Sequence, residues 1–353
     1  MILYLINGTS QSNISLFSGG FIGVDVFLVV SGFLITSGIV YKFRNDDFSL
    51  GAFYKRRLLR IIPPVLFLCI FVLIAGYFLL FPEIYRETAI EVGNTLLFIG
   101  NFRFANSGGY FSLESSDRIL LHTWYLCITV QFYILYPLIL LLIKKIFGLN
   151  RLGAALAAIT VLLIITAHFA SLSGKGYLLT QCRIWEMFVG GTLYIYSDKL
   201  NALIAKAKAG ASYFEITGTI FILLNVYYVD IADGVWLVST SALAVLGTCL
   251  VLAANAKSSI YNSKVFTVLG QSSYSLYIWH WPLFVFVIRL GVSTDVFSIC
   301  ALLAALALIV YLSYIFLEKK QLNSIAVLCI YFALLGAYGY IKSHDAAITL
   351  AIM

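Results

Sequence analysis

Long apolar runs restrict the fold of this chain more than any other feature of its sequence. A membrane-spanning helix needs about 20 apolar residues, and ten runs reach that length; they lie near residues 21–41, 61–81, 124–147, 153–172, 178–196, 213–229, 235–254, 268–289, 296–316 and 324–342. Only 11% of the residues are charged, whereas soluble domains carry about 25%. The sequence therefore predicts an all-α fold, a polytopic transmembrane helical bundle of about ten spans in a single domain over residues 1–353.

The lysines and arginines predict which loops face the cytoplasm, because cytoplasmic loops are enriched in these residues. The loop 42–60 is strongly basic, and the later basic loops share its side when the chain crosses ten times with both termini outward. The shorter run 88–104 then belongs to an outer loop and does not cross alone. The formal net charge of +7 is explained by this bias in the loops and by the attraction of basic residues to the anionic headgroups of membrane lipids. No nucleic-acid partner is expected, and no oligomeric state follows from the sequence.

Ionisable side chains within apolar runs are candidate functional residues, since such groups face a bundle interior or a wet cavity rather than lipid. At about 1.5 Å per residue along a helix, the predicted topology brings five of them to one level in the outer half of the membrane: Asp25, His122, Arg183, Glu186 and His280. We therefore expect a polar cavity open to the outer face. Two simpler interpretations remain: Arg183 and Glu186, three residues apart, form a local ion pair, and Trp279 and Trp281 are interfacial aromatics.

A second candidate site is the basic segment "FYKRRLLRIIPP", residues 53–64. It precedes a helix whose start is marked by Pro63 and Pro64, and it faces the cytoplasm. The segment either anchors the topology or binds an anion through Arg57 and Arg60, which share one helix face. The six cysteines are scattered singly, so neither a disulfide framework nor a metal site is expected.

Several motifs together resemble the acyltransferase-3 family of integral-membrane O-acyltransferases. The resemblance covers about residues 14–320, and its motifs follow the order of the family: "GGFIGVDVFLVVSGFLIT" (19–36), "FYKRRLLRIIPP" (53–64), "NFRFANSGGYF" (101–111), "LLHTWYL" (120–126), "QFYILYP" (131–137), "RIWEMFVGG" (183–191) and "SYSLYIWHWP" (273–282). The resemblance implies a bacterial enzyme of the inner membrane. It implies transfer of an acyl group, acetyl in the family, from acyl-CoA to a hydroxyl of a cell-envelope polysaccharide or lipopolysaccharide sugar.

The resemblance also assigns roles to residues of this chain. The expected catalytic residues are Asp25, His122, Glu186 and His280, and the expected substrate-binding residues are Arg183, Trp124, Trp279 and Tyr274. The phosphates of CoA (acetyl-CoA as co-substrate) are assigned to Arg56, Arg57 and Arg60, and no metal is implied. Residues 324–342 resemble the extra helix that precedes a periplasmic domain in longer members, a domain not expected in this chain.

Two departures from the family pattern leave other interpretations open. The histidine that the family carries in its first helix aligns at or near Gln11, and residues 1–18 are interpreted as the remnant of a lost first helix. Thr129 and Val130 stand where the family usually has two glutamates. Without the first-helix histidine, Asp25 would be an orienting residue with no histidine to orient. One alternative is thus a catalytically degenerate relative, and another is a transporter of an anionic or sugar ligand.

Overall fold

The computed structural model describes residues 21–107, 118–172, 176–206, 210–229, 238–255, 259–292, 295–320 and 323–343 of the chain. All regular structure in these residues is helical. The α-helices there are α1 Gly23–Arg44, α2 Leu50–Leu79, α3 Pro82–Leu96, α4 Gly100–Asn106, α5 Trp124–Phe147, α6 Leu152–Ser171, α7 Thr180–Lys206, α8 Gly210–Tyr228, α9 Val238–Ala254, α10 Lys264–Arg289, α11 Val296–Ser313 and α12 Ser324–Ser343. The predicted remnant at residues 1–18 lies outside the described residues.

The apolar runs of the sequence coincide with α1, α2 and α5 to α12, and the predicted all-α membrane fold is confirmed. Five helical segments among the described residues are long and apolar enough to cross a membrane: Gly23–Arg44, Leu50–Leu79, Leu121–Phe147, Leu149–Ser171 and Val296–Lys319. The count of ten spans stays a prediction.

The start of α2 differs from the prediction. The helix begins at Leu50 and continues through Pro63 and Pro64 to Leu79, so the basic segment lies inside it rather than before it. A proline removes one backbone hydrogen bond, and membrane helices tolerate this where neighbouring helices supply partners to the backbone. The Tyr274 hydroxyl of α10 donates to the carbonyl of Ile61 in this part of α2, at 3.0 Å.

The run 88–104 is divided between α3 and α4. Phe98, between them, has a positive φ of 54°, which turns the chain. The 15 residues of α3 extend about 22 Å at 1.5 Å per residue, less than the hydrocarbon core of about 30 Å. Neither helix is long enough to span, which agrees with the outer-loop interpretation.

The chain forms two compact units. The first comprises residues 1–50 and 128–267. Its helices α1 and α7 approach closely at glycines: a Cβ on Gly32 would overlap the carbonyl of Met187, and one on Gly190 would overlap that of Val29. The hydroxyls of Thr36 and Tyr136 share a hydrogen bond of 2.6 Å between α1 and α5. Backbone contact thus fixes α1 against α7.

The second unit comprises residues 51–127 and 268–353. The Phe71 ring of α2 packs edge-on against Trp279 of α10, with ring centroids 5.3 Å apart. The hydroxyls of Ser275 in α10 and Ser313 at the end of α11 share a hydrogen bond of 3.0 Å. The Tyr331 hydroxyl of α12 donates to the carbonyl of Leu96 in α3 (2.6 Å). These contacts hold α10 against α2 and α11, and α12 against α3.

Candidate active site

Three buried charged residues meet in the first unit. Asp25 comes from the first turn of α1, and Arg183 and Glu186 come from the N-terminal part of α7. The Nη1 atom of Arg183 lies 3.0 Å from Oδ1 of Asp25 and 3.1 Å from Oε1 of Glu186, and all three side chains are 0% exposed. Arg183 therefore makes the predicted local pair with Glu186 and a second pair with Asp25, which is 158 residues away in sequence.

The charges of these three residues do not balance when both carboxyls are ionised. Two carboxylates against one guanidinium leave one excess negative charge in a buried site, and one proton held by the carboxyl pair removes it. Oδ2 of Asp25 and Oε2 of Glu186 accept no hydrogen bond within the described part of the chain. The ring of Tyr177 faces the Arg183 guanidinium, 5.0 Å from its centroid. The cluster can hold a proton or bind a polar group of a ligand.

Two buried histidines meet in the second unit. His122 lies in a single helical turn, Leu121–Thr123, directly before α5, and His280 lies in the C-terminal half of α10. Their ring centroids are 5.8 Å apart with the planes nearly perpendicular. The exposed fractions are 1% for His122 and 6% for His280.

Backbone carbonyls fix the tautomer of each imidazole. Nε2 of His122 lies 3.1 Å from the carbonyl oxygen of Ile278, and Nδ1 of His280 lies 2.7 Å from that of Tyr277. A carbonyl only accepts, so these nitrogens carry the ring protons and the other nitrogen of each ring keeps a lone pair. Nδ1 of His122 and Nε2 of His280 have no hydrogen-bond partner within the described residues. Each ring can therefore accept a proton.

The predicted aromatic residues have different surroundings. Trp279 and Trp281 are 7% and 5% exposed, and the Phe71 ring of α2 packs against Trp279. The Trp279 indole N–H makes no hydrogen bond within the described residues and can donate to a ligand. Trp124 is buried at the start of α5. Tyr274 supports α2 through its hydrogen bond to Ile61.

A basic cavity of about 400 Å³ lies at the cytoplasmic end predicted for α2. Its lining includes four cations and one carboxylate, and the full lining is Lys55, Arg56, Leu59, Arg60, Pro63, Leu317, Glu318, Lys320, Ser324 and Val327. Two of the predicted CoA residues, Arg56 and Arg60, thus share a cavity. The Arg57 guanidinium instead lies 5.7 Å from the centroid of the Phe53 ring. Glu318 accepts a hydrogen bond from Ser275 and interacts electrostatically with Arg60.

Helix α3 carries a buried carboxyl group that the sequence patterns did not single out. Glu91 of α3 is 5% exposed, and burial raises the pKa of its carboxyl to about 7, against the opposing charge of Arg118. Oε2 of Glu91 accepts a hydrogen bond from the backbone N–H of Leu120 (3.3 Å). The available signal was a glutamate inside the apolar run 88–104. Glu318 and Lys320 were missed as well, because nothing in the sequence brings residues 318–320 to residues 55–60.

The comparison with known families supports the resemblance drawn from the motifs. The family described as "Acyltransferase domain", the acyltransferase-3 family, matches residues 1–318. The chain is 29% identical over 333 residues to O-acetyltransferase OatA of Staphylococcus aureus (strain NCTC 8325 / PS 47), covering 88% of this chain and 55% of that protein.

A second relative is the peptidoglycan O-acetyltransferase OatA of Listeria monocytogenes serovar 1/2a. It is 28% identical over 294 residues, covering 77% of this chain and 46% of the relative. The chain thus spans about half the length of the curated relatives it matches. No solved structure matches the chain.

Proposed function

We propose that this chain, which belongs to the acyltransferase-3 family of membrane proteins, transfers an acetyl group from acetyl-CoA to a hydroxyl of a cell-wall glycan. The observation that carries the proposal is the pair of buried imidazoles, each with one nitrogen fixed by a carbonyl and the other left as a proton acceptor. A general base within hydrogen-bond reach of a hydroxyl accelerates its reaction typically by 10²–10⁴-fold.

The reaction we propose uses these groups as follows. The sugar oxygen attacks the carbonyl carbon of the thioester, a C–O bond forms and the C–S bond breaks. The hydroxyl proton passes to the imidazole of His122 or His280 and then to the departing thiolate of CoA. The Trp279 N–H donates to the carbonyl oxygen as negative charge develops there. In the first unit, Asp25, Arg183 and Glu186 can hold a proton or bind a polar group.

The basic cavity is proposed as the site of the CoA phosphates. CoA carries its phosphates and its thioester at opposite ends of a long arm. Arg60 and Phe71 are eleven residues apart in α2, about 16 Å at 1.5 Å per residue, and Phe71 packs on Trp279 beside His280. This separation suits a donor with distant ends. One helix, α2, would then position both the phosphate end and the thioester end of CoA.

The acceptor we propose is peptidoglycan, because the Listeria relative is named for it. Lipopolysaccharide is the alternative acceptor. We further propose ten spans with both termini outward in the bacterial inner membrane. Labelling of single cysteines in intact cells tests this orientation: Ser107→Cys should react with an impermeant maleimide from outside, and Asp46→Cys should react only after lysis.

The test of function expresses the chain in a host that lacks its own peptidoglycan O-acetyltransferase. We expect base-labile acetate on purified peptidoglycan. We also expect losses of at least about 100-fold in His280→Asn and in His122→Asn, and none in the matched control His168→Asn, which changes an exposed histidine of α6.

Three results would count against this function. Acetate on lipopolysaccharide alone would reassign the acceptor. Uptake of a labelled glycan without acetylation would favour the transporter. Absence of acetate on either acceptor, with normal insertion of the chain, would favour the degenerate relative.

A further inference from the structure

The segment that carries His122 is held from two sides within the second unit. On one side is α10, where Trp281 Nε1 donates to the carbonyl of Arg118 (2.8 Å) and the Tyr277 hydroxyl donates to the carbonyl of His122. On the other side is α3. The imidazole belongs to a three-residue turn at the N-terminal end of the helical segment Leu121–Phe147, so these contacts support it where that segment begins.

The contacts from α3 come from two buried residues on one face. Glu91 accepts from the backbone N–H of Leu120 (3.3 Å) and lies 3.8 Å from Nη1 of Arg118. Thr95, four residues later and fully buried, shares a hydrogen bond of 3.0 Å with the Thr123 hydroxyl. That hydroxyl donates its own proton to the carbonyl of Leu120 (2.7 Å), so Thr95 is the donor between the two threonines.

We propose that Glu91 and Thr95 are positioning residues for His122, acting through Leu120 and Thr123, which lie on either side of His122 in the chain. The proposal deepens the function proposed above and rests on it where it concerns catalysis. The physical reason is geometric: catalytic groups must be held close to a productive geometry, and a displacement of about 1 Å can cost 10²-fold in rate.

Several other charged groups surround the Glu91 carboxyl. Burial raises the pKa of its carboxyl to about 7, so its charge changes in the neutral range. The charged groups that face it from its own helix, from α4, from the segment before α5 and from α10 are Glu83, Glu87, Arg103, Arg118 and Arg289. Arg103 is paired with Glu87 at 2.5 Å, and Nη1 of Arg118 lies 3.8 Å from the Glu91 carboxyl.

The first test does not depend on activity. The chain holds four histidines, so the imidazoles can be followed by NMR in lipid nanodiscs after ¹⁵N-histidine labelling, with His122→Asn to assign the signal. We expect the Nε2–H tautomer of His122 in the unmodified chain and in Glu91→Gln, whose amide oxygen can still accept from Leu120. Glu91→Leu and Thr95→Val should shift or broaden this signal, and Glu83→Leu, on the exposed part of α3, should not.

Unchanged His122 signals in both Glu91→Leu and Thr95→Val would overturn the positioning role. Thr95→Val changes little volume and keeps the test valid should Glu91→Leu fail to fold. The second test is kinetic: we expect kcat to fall by about 10- to 100-fold with KM unchanged in Glu91→Leu, and recovery in Glu91→Gln. If the unmodified chain transfers no acetate, the proposed function fails, and the NMR result alone decides the positioning role.

Discussion

Arg183 joins Asp25 and Glu186 through a single guanidinium nitrogen, with both distances close to 3 Å and no exposure of any of the three side chains. Loss of one partner from a buried ion pair typically costs about 3–5 kcal/mol, because the remaining charge is left uncompensated. Arg183→Gln leaves two carboxyls without their cation. Asp25→Asn leaves one carboxylate with one guanidinium.

We therefore expect Arg183→Gln to lower the free energy of unfolding by at least about 3 kcal/mol, and Asp25→Asn by about 1 kcal/mol, the scale of one hydrogen bond. Denaturant titration in detergent micelles measures the difference. Lys42→Gln, at an ion pair with exposed Asp47, serves as the control and should cost less than about 1 kcal/mol. Equal losses in Arg183→Gln and Asp25→Asn would show that the charge balance does not control stability here.

The sequence predicted the helices better than their contacts. Apolar length alone located ten helices, since a run without charge can bury its backbone in lipid only as a helix. It misplaced the start of α2 by eleven residues, from 61 to Leu50, because two prolines usually mark a helix start. The level of Asp25 in the membrane followed from helical rise, but its pairing with Arg183 depends on close packing of α1 on α7.

Burial of Glu91 makes stability depend on pH in a defined window. Its pKa is raised to about 7 in the folded chain from 4.5, so the folded state holds the proton more tightly than the unfolded state. The contribution of Glu91 to the free energy of unfolding is complete below pH 4.5 and is lost as pH rises to about 7. The full change is about 3 kcal/mol.

We expect Glu91→Gln to remove this dependence. Thermal unfolding in micelles from pH 4.5 to 8 should show a midpoint that falls with pH in the unmodified chain and falls less in the variant. Glu83→Gln, an exposed carboxyl of the same helix, should retain the dependence of the unmodified chain. Identical pH profiles for Glu91→Gln and the unmodified chain would be incompatible with a titrating Glu91.

The basic cavity allows a prediction that separates Arg60 from Arg57. Arg60 lines the cavity with Lys320, whereas Arg57 lies against the Phe53 ring. A charge-assisted hydrogen bond contributes about 1.5–3 kcal/mol, so Arg60→Gln should weaken CoA binding by about tenfold or more. Arg57→Gln should weaken it less. Calorimetry with CoA in nanodiscs measures both, and Arg151→Gln, at an exposed arginine outside the cavity, is the control.

Glu318 gives the same cavity a negative charge that a phosphate ligand must approach. Its carboxyl accepts from Ser275 and faces Arg60, so Glu318→Gln should strengthen CoA binding several-fold. Pantetheine, which lacks the phosphates, should bind equally well to the unmodified chain and to Glu318→Gln. Weaker binding of CoA to Glu318→Gln would mean that the carboxyl organises Arg60 for the ligand rather than competing with it.

Two glycines of α1 provide a matched test of how the acidic cluster is built. A methyl group on Gly32 would overlap the backbone of Met187, the residue after Glu186, whereas a methyl group on Gly38 meets nothing within 4 Å. Alanine is favoured over glycine in a helix by about 0.5–1 kcal/mol, so Gly38→Ala should not lower stability. Gly32→Ala should lower it by about 1–3 kcal/mol, the usual cost of overpacking, because α1 and α7 must separate.

Separation of α1 from α7 also lengthens the distance from Asp25 to Arg183, since the two residues lie on these helices. The free energy of unfolding in micelles and the rate of acetate transfer should therefore both fall in Gly32→Ala. Both should be retained in Gly38→Ala. The double variant Gly32→Ala with Arg183→Gln should cost less than the sum of its parts, because each change weakens the same contact. Simple additivity would mean that the glycine contact and the ion cluster are independent, and that close packing at Gly32 does not set the position of Asp25.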